Sequence, residues 1–159
     1  MLKPDLRVAT VAELTPALLD ELGIDGLLVD MDDTIIASNA EVQGGVGPDW
    51  LAGLVAAGKR VVILSNGTRE RVARLAELTG VVGLALAGKP FAWSFRRGLE
   101  ALGAVSRERV AMVGDQLFTD VLGAKWAGLK TILVRPLSKG KLPHTRLVRH
   151  VERMVLKEY

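Results

Sequence analysis

Asp30, Asp32 and Asp33 crowd the end of a short apolar run, Gly26-Leu27-Leu28-Val29, with Met31 between the first two acids. Carboxylates gathered at the mouth of an apolar segment repel one another and lose hydration. Such an arrangement serves chiefly to hold a hard cation or to carry proton and nucleophile chemistry. Three other segments end in polar residues of the same kind. Arg60 to Leu64 runs into Ser65-Asn66-Gly67-Thr68, Val81 to Leu86 is followed by Lys89, and Val110 to Gly114 leads to Asp115 and Asp120. Three or four carboxylates in one crevice need a cation, and an all-oxygen set without His or Cys points to Mg²⁺. A lysine and a Ser-Asn-Gly-Thr turn at a helix start make a cradle for a phosphoryl group. A carboxylate beside a metal-bound phosphate can attack phosphorus, and a second acid two residues on can protonate the leaving alcohol and then activate water.

These residues need a scaffold that gathers strand ends. The chain supplies alternation: Thr15-Pro16 reads as the cap and first residue of a short helix ended by Gly23, and strand one follows at about 26–31. Residues 35–47 are small, polar and Gly-rich, a loop or flap. Pro48 opens a helix closed by Gly58, and 60–64 is strand two. A helix ends at Gly80, strand three covers 81–86, and Phe91, Phe95, Leu99 and Leu102 mark one helical face. Strand four is 110–114, a helix covers about 118–127, strand five is 131–134, and a last helix is expected over about 145–157. Strands apolar on both faces that alternate with helices predict an α/β fold, a doubly wound five-stranded parallel sheet of order 3-2-1-4-5. That order makes strands one and four neighbours at the switch point, where ligands bind beyond the carboxyl ends. Asp30 and Asp115 would then converge.

The bulk numbers restrict the alternatives. With 159 residues, one domain over 1–159 is expected. Apolar residues make up 49% and charged residues 25%, the balance of a globular chain. The absence of cysteine excludes disulfides and thiolate metal sites and fits a reducing cytoplasm. No apolar stretch reaches membrane-span length, and no signal-peptide core is visible near the N-terminus. The net charge of +3 is spread too thinly to argue for nucleic-acid binding. Among individual residues, Thr68 reads as a helix cap and Asp33 as solvent-facing. Trp50, Trp93 and Trp126 read as core or rim, and His144 and His150 lie far from the strand ends.

In order, identity and placement the motifs resemble those of the haloacid dehalogenase (HAD) superfamily: Asp30-Met31-Asp32-Asp33-Thr34, then Ser65, then Lys89 before Pro90, then Gly114-Asp115 with Asp120. The resemblance implies a Rossmann-like core and phosphatase activity with Mg²⁺. It makes Asp30 the nucleophile and Asp32 the general acid/base. Thr34 would steady the loop and join Ser65, Asn66 and Lys89 around the phosphate. The metal ligands would be Asp30, Asp115, the backbone carbonyl of Asp32, and Asp120 through water, Asp120 alternatively orienting Lys89. The run 114–124 and the Thr-Pro opening look like the YqeG-type subfamily IIIA, whose relatives include phosphatases acting on phosphatidylglycerophosphate.

Thirty residues separate Thr34 from Ser65 and 23 separate Ser65 from Lys89, so neither gap holds a folded cap domain. An open mouth suits a phosphate on a membrane headgroup or on a macromolecule; phosphatidylglycerophosphate is the leading candidate and soluble sugar or nucleotide phosphates are the alternative substrates. The expected last helix is amphipathic, with Leu147, Val148, Val151, Met154 and Val155 opposite Arg146, Arg149, His150, Arg153 and Lys157. Such a helix either packs on the sheet or lies against an anionic membrane, a peripheral contact at the inner face. A receiver-like phospho-acceptor module is a competing reading, disfavoured because Asp32 supplies an acid that receivers lack. A non-catalytic scaffold would not need every motif residue, and a dehalogenase would not need Asp32. Oligomeric state is not legible.

Overall fold

The computed structural model of the chain describes residues 2–138. Six strands, β1 (Leu6–Val8), β2 (Gly26–Val29), β3 (Arg60–Leu64), β4 (Val82–Leu84), β5 (Val110–Gly114) and β6 (Lys130–Val134), form one parallel sheet of order β1-β6-β5-β2-β3-β4. The helices are α1 (Pro16–Glu21), α2 (Val46–Ala56), α3 (Arg69–Thr79), α4 (Ala92–Leu102) and α5 (Gly123–Trp126).

The strands read as unbroken apolar runs because both faces are covered. Leu27, Val29, Val61, Ile63, Ala111 and Val113 share one buried cluster with Leu19, Leu51, Leu54, Val72 and Leu75 from α1, α2 and α3. Their neighbours in sequence, Leu28, Val62, Leu64, Val110 and Met112, lie in a second cluster with Phe95 and Leu102 of α4 and Ala124 of α5. Successive strand side chains point to opposite faces, so one strand feeds both cores. Thr15 caps α1, its hydroxyl accepting from the Leu18 amide at 3.2 Å ahead of Pro16. Thr68 caps α3, accepting from the Arg71 amide at 3.4 Å, and Gly80 ends that helix in the left-handed region at φ 73°.

Four expectations need correction. The sheet has six strands, because β1 adds in parallel to the β6 edge, Leu6 opposite Ile132 and Val8 opposite Val134. Three residues carry too little periodicity to be read. What holds β1 is Asp5, which accepts from the Thr131 amide at 2.8 Å and its hydroxyl at 3.1 Å. Helix α2 starts at Val46, ahead of Pro48, which sits within the first turn where its missing N–H costs nothing. Strand β4 covers only 82–84 of the expected 81–86. The expected helix over 118–127 is a wide π-type turn at Leu117–Leu122 followed by the single turn of α5. The order 3-2-1-4-5 is present as β4-β3-β2-β5-β6. The expected helix over 145–157 lies outside the described residues.

Candidate active site

Strand β2 hands the chain to Asp30 at the sheet centre, where β5 lies on one side and β3 on the other. The Asp30 amide donates to the Val113 carbonyl at 2.9 Å, so the last rung of the β2–β5 ladder fixes the acid beside the end of β5. Asp115 follows one residue beyond that strand. Oxygens of Asp30, Asp115 and Asp120 lie within 4.8 Å of one another, all three residues buried. A buried all-carboxylate set of this kind fits a hard divalent cation, and among the described residues these three side chains could hold one. The carboxylate of Asp32 is outside the group. A part for Asp32 in holding metal would therefore run through its backbone carbonyl, as the resemblance implies.

Lys89 enters the same cluster from the loop after β4. Its Nζ donates to Asp120 Oδ1 at 2.7 Å and to Asp30 Oδ1 at 3.0 Å. Burial alone would push the lysine down, but the carboxylates of Asp120 and Asp30 outweigh it and hold its pKa above the ordinary value. Burial acts the opposite way on Asp30, raising its carboxyl to about 6. Lys89 pulls against that rise and the charge of Asp120 adds to it. The other Asp120 oxygen accepts from the Gln116 amide at 3.1 Å, the π-type turn closing over the acid. Gly114 makes room for this, since a Cβ there would fall 2.2 Å from Asp120 Oδ2.

The turn after β3 supplies the opposite wall. Ser65 is buried, and its hydroxyl accepts from the Gly67 amide at 2.9 Å. The Asn66 carboxamide oxygen accepts from the Gly88 and Lys89 amides, each at 2.9 Å, while its NH₂ donates to the Lys89 carbonyl at 3.0 Å. Asn66 thus grips the backbone that presents Lys89. Thr34 is buried with its hydroxyl towards Asp115 Oδ1, at a long 3.5 Å. Gly67 lies under Asp32: a Cβ there would meet Asp32 Oδ2 at 2.8 Å and Ser65 Oγ at 3.0 Å. Of the sequence-derived set, Asp30, Lys89, Asp115 and Asp120 form one contact cluster, with Thr34 against it. Ser65 and Asp32 both border Gly67, and Asn66 acts through the lysine loop.

Asp33 does not face solvent. It is buried at φ 62°, and its Oδ1 accepts from the Ser38 amide at 2.9 Å and the Ser138 hydroxyl at 2.6 Å. The acid after Asp32 thus braces the flap from within. Sequence reasoning also passed over Arg71, whose guanidinium pairs with Asp32 Oδ1 at 2.8 Å. The signal available was its place in the first turn of the helix after Ser65. Among the tryptophans, Trp50 packs inward and donates to the Leu14 carbonyl at 2.8 Å, whereas Trp93 and Trp126 are exposed.

Acidic residues and a lysine gathered at the carboxyl end of a doubly wound sheet form a group that could hold a divalent cation beside a phosphoryl group. Residues 86–149 match the family model described as HAD-hydrolase-like. The chain is 32% identical over 153 residues to the Bacillus subtilis (strain 168) protein named Probable phosphatase YqeG, covering 96% of this chain and 88% of that one. The chain belongs to the HAD superfamily of hydrolases and is a phosphatase of the YqeG type. Solved structures share the fold. A Listeria monocytogenes serotype 4b protein superposes with TM-score 0.55 at 20% identity, over 76% of this chain and 85% of that one. The cobalt-bound deoxy-D-mannose-octulosonate 8-phosphate phosphatase YrbI of Haemophilus influenzae gives 0.54 at 20% identity, over 71% and 69%.

Proposed function

We propose that this phosphatase is a Mg²⁺-dependent phosphomonoesterase that works through an aspartyl-phosphate on Asp30. The observation that carries the reading is the Lys89 ammonium held between Asp30 and Asp120, with Asp115 completing a compact acidic cluster. Asp30, Asp115 and Asp120, with the Asp32 carbonyl, would hold the cation. When bound, it offsets the charge of the carboxylates and of the phosphoryl group. Lys89 and Ser65 bind phosphoryl oxygens, Thr34 and Asn66 set the loops that carry them, and Asp120 orients Lys89.

In the first half-reaction an Asp30 oxygen bonds to phosphorus as the ester P–O bond breaks, and the departing oxygen takes the proton of the Asp32 carboxyl. In the second, water bonds to phosphorus and gives its proton to the Asp32 carboxylate. The Asp30–phosphorus bond breaks, its electron pair returns to Asp30, and inorganic phosphate leaves.

The substrate is a phosphate presented on a large or surface-bound alcohol, with phosphatidylglycerophosphate as the specific candidate. The likeness to subfamily IIIA supports this, as does the short span between motifs. Between Thr34 and Ser65 the chain builds only a loop, α2 and β3; between Ser65 and Lys89 it builds only α3 and β4. These short spans support the reading of a domain without a cap. Among the described residues no helix is long and apolar enough to cross a membrane; in this reading the lipid is met peripherally, from the cytoplasmic face. Phosphate release measured with Mg²⁺ should vanish in Asp30→Asn; wild-type turnover by that variant would end the assignment. Comparing kcat/KM on phosphatidylglycerophosphate in mixed micelles with soluble sugar and nucleotide phosphates tests the substrate. A preference for the soluble esters would remove the lipid.

A further inference from the structure

Arg71, in the first turn of α3, makes contacts that neither the sequence motifs nor the chemistry above employ. One guanidinium nitrogen, Nη2, lies 2.8 Å from Asp32 Oδ1 and 3.5 Å from the Ala37 carbonyl, and Nη1 donates to the Ala40 carbonyl at 2.7 Å. The planar fork therefore spans the candidate proton-transfer acid and the flap at 37–40. Asp32 Oδ2 lies over Gly67, where a Cβ would meet it at 2.8 Å. The guanidinium thus fixes one oxygen of the carboxylate, and the absence of a side chain at Gly67 leaves room for the other.

The exposure of the pair decides what this contact is for. About a quarter of the Arg71 side chain and a third of the Asp32 side chain reach solvent. An ion pair so wetted adds little to stability, whereas a guanidinium fork imposes direction that a point charge does not. The remaining face of Arg71 lines an open groove with Glu41, Val42, Glu70 and Arg74. Arg71 thus stands between that groove and Asp32, its ion-pair partner.

We infer that Arg71 is the positioning residue of Asp32, aiming its carboxyl at the leaving oxygen and tying that aim to the flap backbone at Ala37 and Ala40. The inference rests on the proposed phosphatase mechanism, and it makes a demand that a purely structural arginine does not. Loss of aim hurts only those steps that need a proton delivered. Alkyl alcohols leave poorly without one, whereas nitrophenolate leaves unaided.

The test is pre-steady-state phosphorylation of Asp30 by an alkyl phosphate and by p-nitrophenyl phosphate, in wild type, Arg71→Ala, Arg71→Lys and Asp32→Asn, with Mg²⁺ present. Arg71→Ala should slow the alkyl burst by roughly 10- to 100-fold, the scale of a misplaced general acid. It should slow the nitrophenol burst less than about 3-fold, following the asymmetry of Asp32→Asn. The double variant should be no slower than Asp32→Asn alone, since residues acting through one another are not additive. Added guanidinium should restore the alkyl burst of Arg71→Ala. Equal slowing of both esters overturns the inference, as does a double variant slower by the product of the single effects. If Arg71→Ala does not fold, Arg71→Lys decides by the same ratio. Asp30→Asn separates the two levels: its full turnover would sink the mechanism and this inference together. An inactive Asp30→Asn with a flat Arg71 series would sink this inference alone.

Discussion

Lys89 Nζ lies 2.7 Å from Asp120 Oδ1, with 2% and 1% of the two side chains exposed. The pair is the fixed point of the site, since the same ammonium reaches Asp30 at 3.0 Å. A buried cation between two carboxylates is costly to remove, because what remains is two like charges without a partner. Lys89→Met should lower the stability of the cation-free protein by about 3 kcal/mol at neutral pH, read by urea unfolding. Asp120→Asn, which leaves a single pair intact, should cost less. A loss below that of Asp120→Asn would show that the ammonium is not the element holding the cluster.

The pH response follows from Asp30. Its native carboxyl is raised to about 6 from an ordinary value near 3.8, first by burial and then by Asp120, against the pull of Lys89. The folded state therefore holds this proton more tightly than the unfolded state does. The group's contribution is fully present below about pH 4 and is lost as pH rises through about 6. Between those limits the cation-free wild type should lose stability relative to Asp30→Asn, by an amount on the order of 1–3 kcal/mol. A divalent cation, which favours the ionised form, should raise the Tm of the wild type at pH 7.5 and leave that of Asp30→Asn nearly unchanged. Parallel pH profiles of the two proteins would contradict this.

Asn66 should show a different signature, because it touches backbone. Its carboxamide makes three hydrogen bonds to residues 88 and 89. Asn66→Ala releases the loop that presents Lys89, so KM for a phosphate ester should rise several-fold. The stability cost should be about 1–3 kcal/mol. Asn66→Asp keeps the acceptor for the two amides and should recover part of the KM. An unchanged KM in Asn66→Ala would separate that loop from substrate binding.

Two glycines give a paired test of steric necessity. At Gly114 a Cβ would sit 2.2 Å from Asp120 Oδ2 and 2.7 Å from its Cβ, so Gly114→Ala must displace the acid that orients Lys89. We expect at least a tenfold fall in kcat/KM, with a stability loss of about 1–3 kcal/mol. At Gly53, exposed in the interior of α2, nothing lies within 4 Å. Gly53→Ala should stabilise by about 0.5–1 kcal/mol and leave activity unchanged. Similar effects at both positions would mean that the Gly114 contact does not constrain Asp120.

The sequence by itself determined the five strands from β2 to β6, to within a few residues at their ends, their burial on two faces, and the set of acids and the lysine placed just past their carboxyl ends. Each of these is a local property: an apolar run, a cap such as Thr15 or Thr68, a polar residue placed just past a strand. The tertiary structure decided what depends on contacts between distant segments. Leu6–Val8 is a strand through its pairing with β6, where Thr131 donates to Asp5 beside it. Asp33 is buried only because the chain near Ser138 returns over it, and Arg71 matters only because α3 brings it within reach of Asp32, 39 positions earlier. Hydrophobic periodicity records which face of an element is covered. It holds no record of which side chain from another element meets a given carboxylate, and that pairing sets the direction in which each acid points.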